Sequence, residues 1–166
     1  MNWKLNTLEI YEIAEQIEQN GARFYKRAAE IFEEPVIRKI FLRLADWELK
    51  HKRIFAGMKK QYSQLNPDTG ASESEQQLPE AKVMAGLAVF GIKPNPSDEL
   101  DGEEEISDIL RTAVEKEKDS IVFYSGLKDF TSTEPAKNKI DEIIREELRH
   151  IKILSKLGKR IDSVGS

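Results

Sequence analysis

Glu48-Leu49-Lys50-His51 and Glu147-Leu148-Arg149-His150 contain both histidines of this 166-residue chain, in the same Glu-x-x-His setting and 99 residues apart. The same offset lays Glu18 on Glu117, Phe24 on Phe123 and Tyr25 on Tyr124. One helical hairpin is thus written twice, and each copy carries two glutamates and a histidine at matching positions.

Outward from these stretches, apolar residues recur at helical spacing. The first helix is expected over 6–33 on Leu8, Ile10, Ile13, Ile17, Phe24, Ala28 and Ile31, with Asn6 or Thr7 as its cap. Pro35 suits the first turn of a second helix over 35–63, with the stripe Ile37, Ile40, Phe41, Leu44, Phe55, Met58 and Tyr62. The tight turn between them makes the two helices antiparallel neighbours. A third helix is expected over 103–130, opened by Glu103-Glu104-Glu105, whose charges suit the positive end of the helix dipole. A fourth is expected over 134–158, stopped by Gly158 and followed by a frayed tail over 159–166. Residues 64–102 form a long crossover, polar and turn-rich at first, with a short apolar run at 80–91 that reads as a crossover helix or a dimer surface. The expectation is an all-α, antiparallel four-helix bundle of two hairpin repeats, one domain over 1–166.

The position of the repeated residues on their helices is what makes them informative. Leu44, Glu48, His51 and Phe55 follow one another by 4, 3 and 4; Ile140, Ile143, Glu147, His150 and Leu154 by 3, 4, 3 and 4. Both Glu-x-x-His pairs therefore lie inside the apolar stripe. Glu18 shares a face with Tyr11, Ala14 and Tyr25, and Glu117 with Leu110, Ala113 and Tyr124. Glu15, Glu115 and Glu146 fall on other faces. Tyr25 and Tyr124 read as core residues with hydrogen-bonded hydroxyls, and Trp47 as a packing or interface residue.

Isolated buried charges cost several kcal/mol each, and like charges together cost more. The periodicity puts no Lys or Arg inside near the same level. Two divalent cations would neutralise four carboxylates, and a Glu from each of two helices plus Glu-x-x-His from each of the other two is how helix bundles hold such a pair. This donor set suits Fe, Mn or Zn alike.

Composition narrows the classes. A net charge of −4 argues against a nucleic-acid footprint. No run approaches the roughly eighteen apolar residues of a membrane span, and the first residues lack the apolar core of a secretory signal, so a cytoplasmic protein is expected. With no cysteine, thiolate metal sites, thiol nucleophiles and disulfides are excluded.

The motifs Glu18…Phe24-Tyr25, Glu48-Leu49-Lys50-His51, Glu117…Phe123-Tyr124 and Glu147-Leu148-Arg149-His150 resemble, over about residues 6–158, the rubrerythrin-like branch of the ferritin-like superfamily. The resemblance implies a ferritin-like bundle whose metal ligands are Glu18, Glu48, His51, Glu117, Glu147 and His150, with Glu48 and Glu147 bridging. It implies two metal ions, iron first, and an oxidoreductase that consumes peroxide or O2 in oxidative-stress defence; a homodimer is expected separately, from the apolar run at 80–91. Ferritin-like iron binding, storage or ferroxidase activity is the alternative. Full-length rubrerythrins add a rubredoxin-type domain with four cysteines; none stands here, so a separate protein is expected to donate electrons. Rubrerythrins also tend to carry an extra inner carboxylate one turn past the third-helix ligand. Ser120 and Ile121 stand there in this chain, a departure that bears on peroxidase chemistry and leaves the six ligands whole.

Overall fold

In the computed structural model, residues 7–67 and 100–164 are described. They form four helices: α1 (Thr7–Ile31), α2 (Pro35–Leu65), α3 (Ile106–Leu127) and α4 (Glu134–Val164), with a 3-10 turn at Lys128–Phe130. There is no strand among the described residues. The run at 80–91, read as a crossover helix or dimer surface, lies outside them, as do Asn6 and most of the crossover.

Local chemistry explains the ends. Glu34 caps α2, its two carboxylate oxygens accepting from Val36 N at 3.1 Å and Ile37 N at 2.7 Å, and Pro35 opens the first turn. The start of α3 differs from expectation: the helix begins at Ile106, and Glu104 instead accepts from the backbone N–H of Asp101 and Gly102 at 2.8 and 3.0 Å. Gly102 has φ 101°, a left-handed conformation that glycine adopts without strain. Arg27 fastens this turn to α1 by donating to Leu100 O at 3.2 Å. Gly158 does not end α4, which runs on to Val164. Its φ is not positive, and the roughly 1 kcal/mol cost of an interior glycine is offset because Leu157 and Ile161 continue the apolar stripe onto the core.

Within each hairpin the helices are antiparallel, and α1–α2 is the most extensive helix contact among the described residues. The hairpins meet antiparallel as well. Tyr25 of α1 reaches Glu117 of α3 and Tyr124 reaches back to Glu18, while α2 and α4 meet through Glu48–His150 and His51–Glu147. Large side chains fill the centre on both sides of these contacts: Ile13, Ile17, Phe41, Phe55, Ile140 and Ile143 are all buried. Phe41 stacks on Tyr25 and Phe32, ring centres 6.2 Å apart in both pairs. Phe41→Ala is expected to cost about 3–5 kcal/mol and to lower the melting temperature by roughly 10 °C, followed by far-UV circular dichroism.

Candidate metal centre

The helical stripes deliver all six expected side chains to one place. Glu18 of α1 is 0% exposed, Glu48 and His51 of α2 are 3% and 0%, Glu117 of α3 is 3%, and Glu147 and His150 of α4 are 0% and 1%. Their stripe neighbours Leu44, Phe55, Ala113, Ile140, Ile143 and Leu154 are buried with them, so the helical period itself turns the acids inward.

Both imidazoles aim Nδ1 at the carboxylates. His51 Nδ1 lies 3.0 Å from Glu147 Oε1 and 3.5 Å from Glu18 Oε2. His150 Nδ1 lies 2.8 Å from Glu147 Oε2, 3.2 Å from Glu48 Oε1 and 3.4 Å from Glu117 Oε1. Two sets of four can each offer ligand atoms within 4.8 Å of one another: Glu18, Glu48, His51 and Glu147, and Glu48, Glu117, Glu147 and His150. Glu48 and Glu147 belong to both. The tyrosines add a crossed pair of hydrogen bonds, Tyr25 Oη donating to Glu117 Oε1 and Tyr124 Oη to Glu18 Oε1, the latter at 2.6 Å.

The electrostatics are those of acids crowded away from water. Burial, with the charges of Glu147 and Glu117 added, pushes Glu48 up to about 7. Burial and Glu147 push Glu117 up to about 8, and burial and Glu48 drive Glu18 well above the carboxylate range. Burial also raises Glu147, but His150 and His51 on either side outweigh it and hold Glu147 below its ordinary value. Burial disfavours a charged imidazole at position 51, yet the Glu18 charge and the close Glu147 carboxylate push His51 up to about 12. His150 is raised in the same way by Glu117, Glu147 and Glu48. Without cations, protons must balance this cluster.

The donor atoms fit a cation pair. Glu18 Oε2, Glu48 Oε1, both oxygens of Glu147 and both Nδ1 atoms are buried and lack any aligned hydrogen bond. They face one another, and once the two imidazoles give up a proton each they form one set of donor atoms that a pair of cations satisfies.

Three surrounding residues depart from the sequence reading. Glu146, assigned to an outer face, accepts from His51 Nε2 at 2.8 Å and from Lys50 Nζ at 3.4 Å. Burial opposes its charge, but the His51 contact lowers its pKa. Its signal was its flank position, about 100° around α4 from Glu147 and turned toward α2. Lys116 is buried after all: its stem is covered and its ammonium sits 5.4 Å from the Phe24 ring centre, a cation–π arrangement that periodicity alone does not show. Asp46, which the sequence also offers as a hydrogen-bonding group beside Glu48, is exposed and turned away from the centre's buried face. Trp47 does pack, its ring stacked on that of His150 at 5.1 Å. Ser120 donates to Lys116 O of its own helix.

Tyr124→Phe removes the proton that Glu18 accepts and leaves a buried oxygen unpaired, at a cost of about 1–3 kcal/mol. The expected result is a melting temperature lower by roughly 2–10 °C in chelator-treated protein. An unchanged melting temperature would mean that this bond contributes nothing to the fold.

Comparison with known proteins agrees with this geometry. No curated protein matches the chain. A crystal structure described as a ferritin-like diiron-carboxylate protein, from Thermotoga maritima, superposes with a TM-score of 0.70 at 28% identity, covering 96% of this chain and 98% of that one. The sequence model of the rubrerythrin family matches residues 9–158, nearly the whole helical bundle and all six converging side chains, so the chain belongs to the rubrerythrin family.

Proposed function

We propose that the protein is a di-iron oxidoreductase that consumes peroxide or O2, its two ions held by Glu18, Glu48, His51, Glu117, Glu147 and His150. The observation that carries the reading is the overlap of two four-residue sets through Glu48 and Glu147. Four carboxylates and two neutral imidazoles match two divalent ions in charge, and Glu48 and Glu147, common to both sets, would serve both ions. Bound iron would supply paired one-electron steps, so that a two-electron oxidant is reduced in one encounter, with electrons returned by a separate donor protein.

The chain's own residues define the surroundings of that chemistry. Tyr25 and Tyr124 hold their protons, because burial and the adjacent carboxylates raise both well above the usual phenol range. Each hydroxyl thereby orients one carboxylate: at Glu18 the second oxygen, Oε2, is left facing His51, whereas at Glu117 the oxygen that accepts from Tyr25, Oε1, is also the one 3.4 Å from His150 Nδ1. Phe24, Phe41 and Phe55, all buried, exclude water from the flanks. No helix among the described residues is long and apolar enough to cross a membrane.

Anaerobic titration with iron(II), followed by peroxide, tests the reading. Two irons bound per chain and their oxidation by added peroxide are the expected results. Fewer than two irons, or iron(II) that peroxide leaves unoxidised, would overturn it. Uptake far beyond two irons per chain would favour ferritin-like storage instead.

A further inference from the structure

The internal repeat makes the two halves of the centre look equivalent, and the structure shows one place where they are not. Position 146 corresponds to position 47 by the 99-residue offset, and the residues there are Glu and Trp. Glu146 reaches from α4 to His51 of α2 and accepts from its Nε2 at 2.8 Å. When His51 gives up one proton to a cation, that contact favours keeping the other on Nε2, so that Nδ1, which faces Glu18 and Glu147, is the ligating nitrogen. Trp47 reaches from α2 to His150 of α4, but offers a ring face: the planes are 12° from parallel and the centres 5.1 Å apart. An indole has no acceptor. Among the described residues no carboxylate lies against His150 Nε2; all three of its close carboxylates are at Nδ1. The His150 side also opens to a surface cleft of about 170 Å³ lined by Trp47, Lys50, Glu146, Arg149 and His150.

We infer that the two cation positions are unequal by construction: the set Glu18, Glu48, His51, Glu147 is the tight position that fills first, and the set Glu48, Glu117, Glu147, His150 is the weak, exchangeable one. This rests on the two-cation reading given above. The physical cause is the carboxylate–imidazole contact. An anion behind a ligating histidine raises its basicity and fixes its ring, and losing such a partner costs about 10–100-fold in metal affinity. The indole on His150 holds the ring by stacking and adds no negative charge. Glu146 is thus a positioning residue acting through His51, and Trp47 is its uncharged counterpart.

The test is a titration of the chelator-treated full chain with Zn2+ in competition with a chromophoric chelator, which resolves stepwise affinities without redox chemistry. Wild type is expected to bind two ions in two steps. Glu146→Gln, nearly isosteric and at a partly exposed site, is expected to weaken the first step about 10–100-fold. His51→Ala should abolish the tight step, whereas His150→Ala should abolish the weak one and keep the tight one. Trp47→Glu, which restores the repeat, is expected to tighten the second step. Repulsion between two ions can split the affinities of identical positions, but Glu146→Gln would then leave the first ion to fill the untouched half at full strength. A first step unchanged in Glu146→Gln therefore overturns the inference while the two-cation reading stands. If wild type binds no zinc pair at all, the reading beneath it falls as well.

Discussion

Glu147→Gln is expected to leave the protein unable to hold either ion. Its two carboxylate oxygens face the two imidazoles separately, Oε1 toward His51 Nδ1 at 3.0 Å and Oε2 toward His150 Nδ1 at 2.8 Å, so a single residue serves both four-residue sets. An amide of the same shape keeps one oxygen, loses the charge and presents an N–H₂ to one half of the centre. The affinity of both positions is expected to fall by more than about 100-fold, beyond what the loss of an outer hydrogen-bond partner costs. Glu18→Gln touches one set only and is expected to retain about one ion per chain. Elemental analysis after loading with iron(II) under argon and desalting separates the cases. Without metal, Glu147→Gln also strips the two charged imidazoles of their common anion. Breaking such a buried arrangement costs about 3–5 kcal/mol, which lowers the melting temperature of the chelator-treated variant by roughly 10 °C. A Glu147→Gln protein that keeps two ions would remove the basis for a shared bridging residue.

The second large effect is a stability that depends on pH in opposite senses with and without metal. Glu48 and Glu117, pushed by burial from 4.5 up to about 7 and about 8, bind protons more tightly folded than unfolded. Their contribution is complete below the unfolded value and is lost as pH rises through 7 to 8. His51, raised from 6.5 to about 12, acts in the same direction: its contribution is complete below 6.5 and declines above it. Glu147 is depressed, so its contribution is present above 4.5 and does not change at neutral pH. Metal-free protein is therefore expected to lose stability from pH 6 to pH 8, at about 1.4 kcal/mol per pH unit for each proton held only by the folded state. Cation binding displaces those same protons, so the stabilisation given by metal grows over the same interval. Melting temperatures at both pH values, in chelator and in excess Zn2+, measure the two slopes. Glu117→Gln, a permanent likeness of the protonated acid, is expected to flatten the metal-free slope. A metal-free protein that becomes more stable toward pH 8 would contradict the account.

Much of this molecule was legible in its letters. Alternation of apolar residues at 3 and 4 turned Glu48, His51, Glu147 and His150 inward, because a helix's period assigns every side chain a direction from its own axis. The repeat paired Glu18 with Glu117, and the lack of cysteine excluded thiolate sites. Helix ends were read less well. Gly158 is a stop signal only where the chain adopts a left-handed turn, and at that point packing by Leu157 and Ile161 carried α4 onward. At the start of α3, Glu104 served the turn before the helix instead of the helix itself.

Read alone, then, the chain decides which side chains lie inside each helix and what chemistry they share. Its tertiary structure decides who meets whom: Tyr25 with Glu117, Tyr124 with Glu18, Glu146 with His51, and Trp47 over His150. The reason is geometric. Periodicity gives a direction around one axis but says nothing of the rotation and register of the neighbouring helix. Glu146 sits on the flank of its stripe, where a rotation of a few tens of degrees separates a solvated acid from one that orients a buried imidazole.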